Sequence, residues 1–249
     1  MANSPERASI ILRFANRSDE RARNLRILIG HLRRQPDLEL IVSVMENDIA
    51  GLDGVRKNFV PAPFESARAN NIGASLASAD LFLFQDADVL MESDDYNRVI
   101  EKIDEGYECV RAANRCIDLA DADVSRFSRP EEIDGAIRSS AGHNTRDAPG
   151  ALTAITREAF VRIGGYCELF KLYGWEDCYF RLKAAKLTYA TWLDRRLVHL
   201  PHEENYQMKY QPANAGLFRE LLDTDGGNCV QLAGRDRFDL VTKYPRISR

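Results

Sequence analysis

The sequence predicts an α/β fold: an open, mainly parallel sheet flanked by helices. Three stretches carry that expectation. Ser9–Phe14 and Leu38–Met45 are apolar runs of strand length, separated by a helical pattern that stops at Pro36, the order of a β-α-β unit. Leu81–Phe84 is apolar on both faces, as a strand inside a sheet reads. It ends in Asp86-Ala87-Asp88, at the carboxyl end of a strand, where open α/β sheets bind ligands.

The other elements follow in order. Ser18 is an N-cap candidate for a helix with Leu25, Leu28, Ile29 and Leu32 at helical spacing. A loop through Pro61 and Pro63 leads to a second helical stretch from Phe64, on which Arg68 and Asn71 share one face. Tyr107–Ala112 reads as a further strand. The polar segment 113–147 reads as irregular, with one short helix near Pro130–Ile137, and a loop of that length is usually functional or mobile. A strand entered through Gly150 precedes Thr156, which reads as the N-cap of a helix ended by Gly164-Gly165. Cys178–Lys186 and Pro212–Leu222 are helical, and Thr188–Leu193 and Leu197–Leu200 are short strands. The whole is expected to be one domain, with a first half over about 9–112 that opens as a nucleotide-binding sheet does and a second half over about 113–249.

With 249 residues, 45% hydrophobic and 29% charged, the chain can bury a substantial core. Its net charge of −4 argues against a general nucleic-acid binder. The arginines between Arg7 and Arg34 read mostly as a solvated helix face, with some available to a phosphate. The cysteines number five and lack C-x-x-C spacing, which fits reduced thiols better than disulfides or zinc. No apolar run approaches a membrane span, and Met1–Ala8 is polar. These features predict a cytoplasmic protein, with the inner face of a membrane as its alternative setting.

Chemistry is suggested at three places. In extended backbone Asp86 and Asp88 point the same way, so both carboxylates can face one Mg2+ or Mn2+ bridging to phosphate; the bland reading is a polar loop. Glu176 and Asp177 open a helix behind Gly174-Trp175. They stabilise its N-terminus, or one is a general base with Trp175 as a stacking wall for a sugar. His199 and His202 follow a short strand; His202, on the loop side, is the preferred metal ligand, and the alternative is a surface histidine.

Together these stretches resemble the nucleotide-sugar glycosyltransferases of the GT-A fold, in particular the β-1,4-galactosyltransferases and the bacterial chondroitin-type polymerases. Phe14-Ala-Asn-Arg17 resembles that group's Phe-x-x-Arg loop, and Phe64 to Gly73 its Phe-x-x-Ala-basic-x-x-Asn-x-Gly segment. Asp86-Ala-Asp88 resembles its Asp-x-Asp, and the stretch from Gly150 through Gly174-Trp175-Glu176-Asp177 its catalytic block. The group's extra glycine pair between Trp and Glu-Asp is absent here.

The resemblance implies Asp88 and His202 as metal ligands with Asp86 assisting, and Asp177 as base beside Glu176. It implies Phe14, Arg17, Glu46 and Arg68 on uridine and phosphates, with Asn71, Asp86, Gly150 and Trp175 completing the donor site. The implied activity is Mn2+- or Mg2+-dependent, inverting transfer of a hexose or N-acetylhexosamine from a UDP-sugar to a glycan or glycoconjugate hydroxyl, as in polysaccharide biosynthesis. A retaining or GDP-sugar-dependent enzyme and a non-catalytic sugar-nucleotide-binding domain are the alternatives.

Overall fold

The computed structural model describes residues 6–35, 37–140, 144–146, 151–203, 211–224 and 243–248. Its centre is a seven-stranded sheet. In chain order its strands are β1 (Ala8–Ala15), β2 (Leu38–Met45), β3 (Arg56–Val60), β4 (Leu81–Asp86), β6 (Cys109–Arg111), β9 (Leu152–Thr156) and β10 (Ala190–Trp192). Across the sheet they run β10-β6-β9-β4-β1-β2-β3, parallel except for β9, which is antiparallel to both neighbours. A smaller sheet joins β5 (Val89–Leu90), β11 (Arg196–His199), β7 (Arg115–Asp118) and β8 (Asn144–Arg146) in the order β5-β11-β7-β8. The mixed, mainly parallel sheet flanked by helices is the expected fold class.

Helices cover both faces. The alternation of β1 sends Ile10, Leu12 and Phe14 to a core shared with Leu25, Leu28, Ile29 and Leu32 of α1 (Asp19–Leu32). Tyr96, Val99 and Ile100 of α3 (Ser93–Asp104) join that core, and this helix is absent from the sequence expectations. Ile11 faces the opposite way, among residues of α2 (Ser66–Leu76), α5 (Arg157–Arg162) and α6 (Glu176–Leu187). Here α2 lies so close to β1 that a Cβ at Gly73 would fall 2.3 Å from Ile11 Cγ2. Only glycine fits that contact.

The caps at Ser18 and Thr156 form as the sequence suggests: each side-chain oxygen accepts a backbone N–H, from Arg21 and Ala159, at 3.3 Å. The segment 113–147 departs from expectation. The short helix expected near Pro130–Ile137 is present, as a 3-10 turn at Pro130–Glu132 leading into α4 (Ile133–Ser139), but around it the chain is not irregular: it supplies β7, β8 and a 3-10 turn at Asp121–Phe127. Its strands are three or four residues long, too short to show a period, and they are stabilised by pairing, β7 with β11 and β8 with β7. The last helix, α7, spans Gln211–Thr224. Among the described residues no helix is long and apolar enough to cross a membrane.

Candidate functional site

The site lies where β1, β2 and β4 end, at the carboxyl edge of the main sheet and against the small one. One corner is a ligand cluster. Asp88, His199 and His202 each offer an atom within 4.8 Å of the others. His202 Nε2 lies 3.0 Å from Asp88 Oδ2, and His199 Nε2 lies 3.8 Å from Asp88 Oδ1. The other nitrogen of each ring is held: His199 Nδ1 is 3.1 Å from Asp118 Oδ1, and His202 Nδ1 is 2.9 Å from the Glu203 carbonyl. Both Nε2 atoms thus face Asp88; with the ring protons moved to Nδ1, where Asp118 and the Glu203 carbonyl can accept them, the imidazoles would present lone pairs to a cation. Burial works against the Asp88 charge. The hydrogen bond from His202 and the fields of His199, His202 and Arg21 outweigh it and hold the carboxyl well below the usual carboxylate range.

The expectation that Asp86 and Asp88 face one point is corrected. The chain turns at Ala87-Asp88, so the extended geometry behind that expectation ends at Asp86. Asp86 is not in the ligand cluster. Its Oδ1 pairs with Arg13 Nη2 at 2.5 Å, from the register-matched position on the neighbouring strand. Arg13 is only 8% exposed, and its Nη1 has no hydrogen-bond partner among the described residues. A cation buried in a strand needs a carboxylate. Burial, with Asp88, Asp177 and Glu176 nearby, pushes the Asp86 carboxyl up to about 7 against the pull of Arg13.

Arg13 also feels the Glu-Asp pair, which forms the first turn of α6. Glu176 is 1% exposed and faces the Ser66 hydroxyl without reaching full hydrogen-bond geometry; burial and then Asp177 raise its pKa, and Arg13 opposes them. Asp177 is half-buried and accepts the Cys178 N–H at 2.7 Å. The turn before them is strained: Leu172 and Trp175 have φ of 58° and 73°. Asn214 of α7, which is buried, fastens this turn by donating to the carbonyls of Lys171 and Gly174 at 2.9 Å each. Trp175 packs against Phe218, ring centres 5.1 Å apart.

The third corner is Glu46, the remaining non-glycine residue with positive φ (73°) among those described. Its carboxylate takes Arg17 Nε at 2.5 Å, is bound again by Arg17 Nη2, and accepts the Phe64 N–H at 3.0 Å. The Arg17 guanidinium carbon stands 5.6 Å from the Phe64 ring centre. Between this corner and the ligand cluster lies Arg21 of α1. Its Nη2 is 3.1 Å from His202 Nδ1, and its charge reaches both Glu46 and Asp88.

A family model described as glycosyltransferase like family 2 matches residues 41–224, well over half of the chain. The chain belongs to that family. No curated protein matches it. Among solved structures, this glycosyltransferase resembles the mannosyltransferase PcManGT from Pyrobaculum calidifontis, in complex with GDP-Man and Mn2+. That likeness has a TM-score of 0.52 at 15% identity and covers 92% of this chain and 74% of the other. It also resembles GalNAc-T7 with UDP, GalNAc and Mn2+, at TM-score 0.58 and 14% identity, over 87% of this chain and 47% of that one. At such identities the likeness is one of fold.

Within the glycosyltransferase the expected residues thus separate. Asp88, His202 and the initially less favoured His199 converge. Asp86, Glu176 and Asp177 gather around Arg13, and Arg17 meets Glu46. Three assignments fare differently. Phe14 is 3% exposed and belongs to the core, so it backs the site rather than lining it. Asn71 is buried and clamps a turn: it donates to Tyr166 O and Glu168 Oε1 at 2.9 Å and accepts the Tyr166 N–H at 3.0 Å. Arg68 lies 3.9 Å from Glu65 on the same helix. Gly150 lies outside the described residues.

Arg13, Arg21, Asp118 and Asn214 were not singled out from the sequence. For Arg13 a signal existed, a lone charge inside an apolar strand. For Asp118 and Asn214 none did, because their partners are 81 and 43 residues away or comparably distant in sequence.

Proposed function

We propose that the protein is a metal-dependent, inverting glycosyltransferase that moves a hexose or N-acetylhexosamine from a UDP-sugar to an acceptor hydroxyl of a glycan or glycoconjugate. The observation that carries this reading is the Asp88–His199–His202 cluster at the strand ends, with Asp177 on the neighbouring helix terminus. One carboxylate and two imidazoles are a donor set that suits Mn2+, and Mg2+ through its carboxylate. A divalent ion held there would neutralise the departing diphosphate. Arg21, beside His202, and Arg17, braced by Glu46, offer guanidinium groups to the phosphates. Asp177 takes the proton of the acceptor hydroxyl as it attacks the anomeric carbon opposite the leaving group, and such base assistance typically contributes about 10²–10⁴-fold. Arg13 holds Asp86 and partly offsets the charges of Glu176 and Asp177.

The choice of UDP rests on the resemblance of the Phe14–Arg17 loop, and the mannosyltransferase in complex with GDP-Man supports a GDP-sugar as second reading. Calorimetric titration of UDP and GDP, each with and without Mn2+, separates the two. Metal-dependent UDP binding is expected, GDP preference redirects the donor, and binding of neither removes the transferase reading. Fold does not settle stereochemistry. The anomeric configuration of the product, read by NMR, tests inversion against retention.

A further inference from the structure

A groove of about 610 Å³ lies outside this site, between α1 and the 3-10 turns of 121–132. One wall is Arg23, Arg26 and Ile27 of α1; the other includes Val124, Phe127 and Pro130. The walls are joined at one end, where Arg34 Nη1 donates to the Pro130 carbonyl at 2.6 Å and a Cβ on Gly30 would touch Pro130 Cγ at 3.2 Å. At the other end Arg23 Nη2 donates to the Pro201 carbonyl at 3.3 Å, one residue from His202. From Arg23 to Gly30 the groove follows α1 for about 10 Å, at 1.5 Å per residue. It therefore starts beside the ligand cluster and leads away from it.

Its charge is unbalanced, although the chain as a whole carries −4. Among the described residues Arg23 donates only to the neutral oxygens of Asn24 and Pro201, and the exposed Glu20 carboxylate one turn earlier on α1 is the acid that feels its charge. Arg26 is exposed and makes no hydrogen bond or ion pair with a described residue. Two guanidinium groups three residues apart on one helix face repel unless an anion lies between them. Asp121, the acid lining the groove, sits on the opposite wall. The apolar side chains supply a surface for the C–H face of a sugar ring, and the Ser125 and Ser128 backbone turn supplies polar edges.

We propose that this groove is the acceptor subsite and that it takes an acidic sugar, one whose carboxylate or phosphate lies on Arg23 and Arg26. The assignment as acceptor rests on the transferase reading above; the preference for an acidic sugar rests on the groove alone. The test is ligand-observed NMR at fixed ionic strength with D-glucuronate, glucose 6-phosphate and uncharged methyl β-glucoside, on the wild type, Arg26→Glu and Arg26→Lys. The acidic sugars are expected to bind, with the glucoside at least about tenfold weaker. Arg26→Glu should weaken them about tenfold and Arg26→Lys much less, the scale of one charge-assisted hydrogen bond. Equal binding of the glucoside, or indifference to Arg26→Glu, overturns the proposal. So does displacement by inorganic phosphate at equal concentration, which would mark a simple anion spot.

UDP binding with Mn2+ is measured on the same samples and should be unchanged in Arg26→Glu. If the wild type binds acidic sugars but neither UDP nor GDP, the transferase reading falls and the acceptor assignment with it, while the acidic-sugar site stands. Paramagnetic broadening of bound glucuronate by Mn2+ supports the groove as neighbour of the ligand cluster, and its absence in a metal-loaded sample overturns that placement.

Discussion

Asp86 and Asp88 stand one residue apart and end in opposite electrostatic settings. Asp88 meets two imidazoles whose far nitrogens lie against Asp118 and a backbone carbonyl, and their hydrogen bond and charge hold its carboxyl well below the usual range. Asp86 meets the buried Arg13 guanidinium, but burial and the nearby carboxylates push its carboxyl up to about 7. One acid is thus held charged by histidines, and the other is crowded by acids around a single arginine. Two carboxylates in one short motif need not share one task. The backbone turn after β4 decides which of them joins the two histidines.

Substitutions can break this contrast, and the largest effect is expected at Asp177. Asp177→Asn should lower transfer by about 10²–10⁴-fold while leaving metal-dependent nucleotide binding intact. Turnover at the wild-type rate in a donor-consumption assay would end its assignment as base. Asp88→Asn should do the reverse. It should weaken calorimetric nucleotide affinity in Mn2+ by more than the roughly 10–100-fold typical of outer-shell partners, and abolish the difference that metal makes.

Arg13 tests the compensated corner. Arg13→Met strands Asp86 and Glu176 and should cost about 3–5 kcal/mol in urea unfolding, the usual scale for breaking a buried pair. Arg13→Met with Asp86→Leu should recover part of that loss, and no recovery would show that the pair is not the cause. Asp118→Asn removes the brace on His199 and should reduce Mn2+ affinity by about 10–100-fold without changing stability much.

The smallest expected effect is at Glu176. Its folded pKa lies above the ordinary 4.5, raised first by burial and then by Asp177. A group raised in this way contributes stability below its unfolded pKa, and that contribution is lost as pH climbs through the folded value. Glu176→Gln keeps the shape without the titration. Thermal unfolding should therefore show the variant gaining on the wild type as pH rises from about 4 to 8, and a gain on acidification would reverse the argument.

The legible parts of the fold were those with a repeating pattern. The strand Leu38–Met45 was read to the residue, and Ser18 and Thr156 were read as caps because their chemistry is local. In the main sheet and the helices that cover it, two elements escaped. β3, reading Arg-Lys-Asn-Phe-Val, is largely exposed and carries no apolar run, and α3 buries only a narrow stripe of Tyr96, Val99 and Ile100. In the site, Asp88, His202 and the Glu-Asp pair stood out as uncommon residue types at element ends. Asn71 stood out for sharing a helix face with Arg68 and for the family resemblance and proved to be a clamp, since an amide that is buried can serve a ligand or a turn equally well.

By itself the sequence determined the α/β architecture and the position of the acidic groups at strand and helix ends. Hydrophobic period and capping chemistry act within a few residues, and a single chain displays them directly. Only the tertiary structure decided which acid joins the histidines and which faces an arginine, that His199 joins His202, and that part of segment 113–147 builds one wall of a cationic groove. Those outcomes depend on strands and loops brought together from distant parts of the chain. Pairing energy between such groups falls off over a few ångströms, so it appears only once the backbone has set their separation.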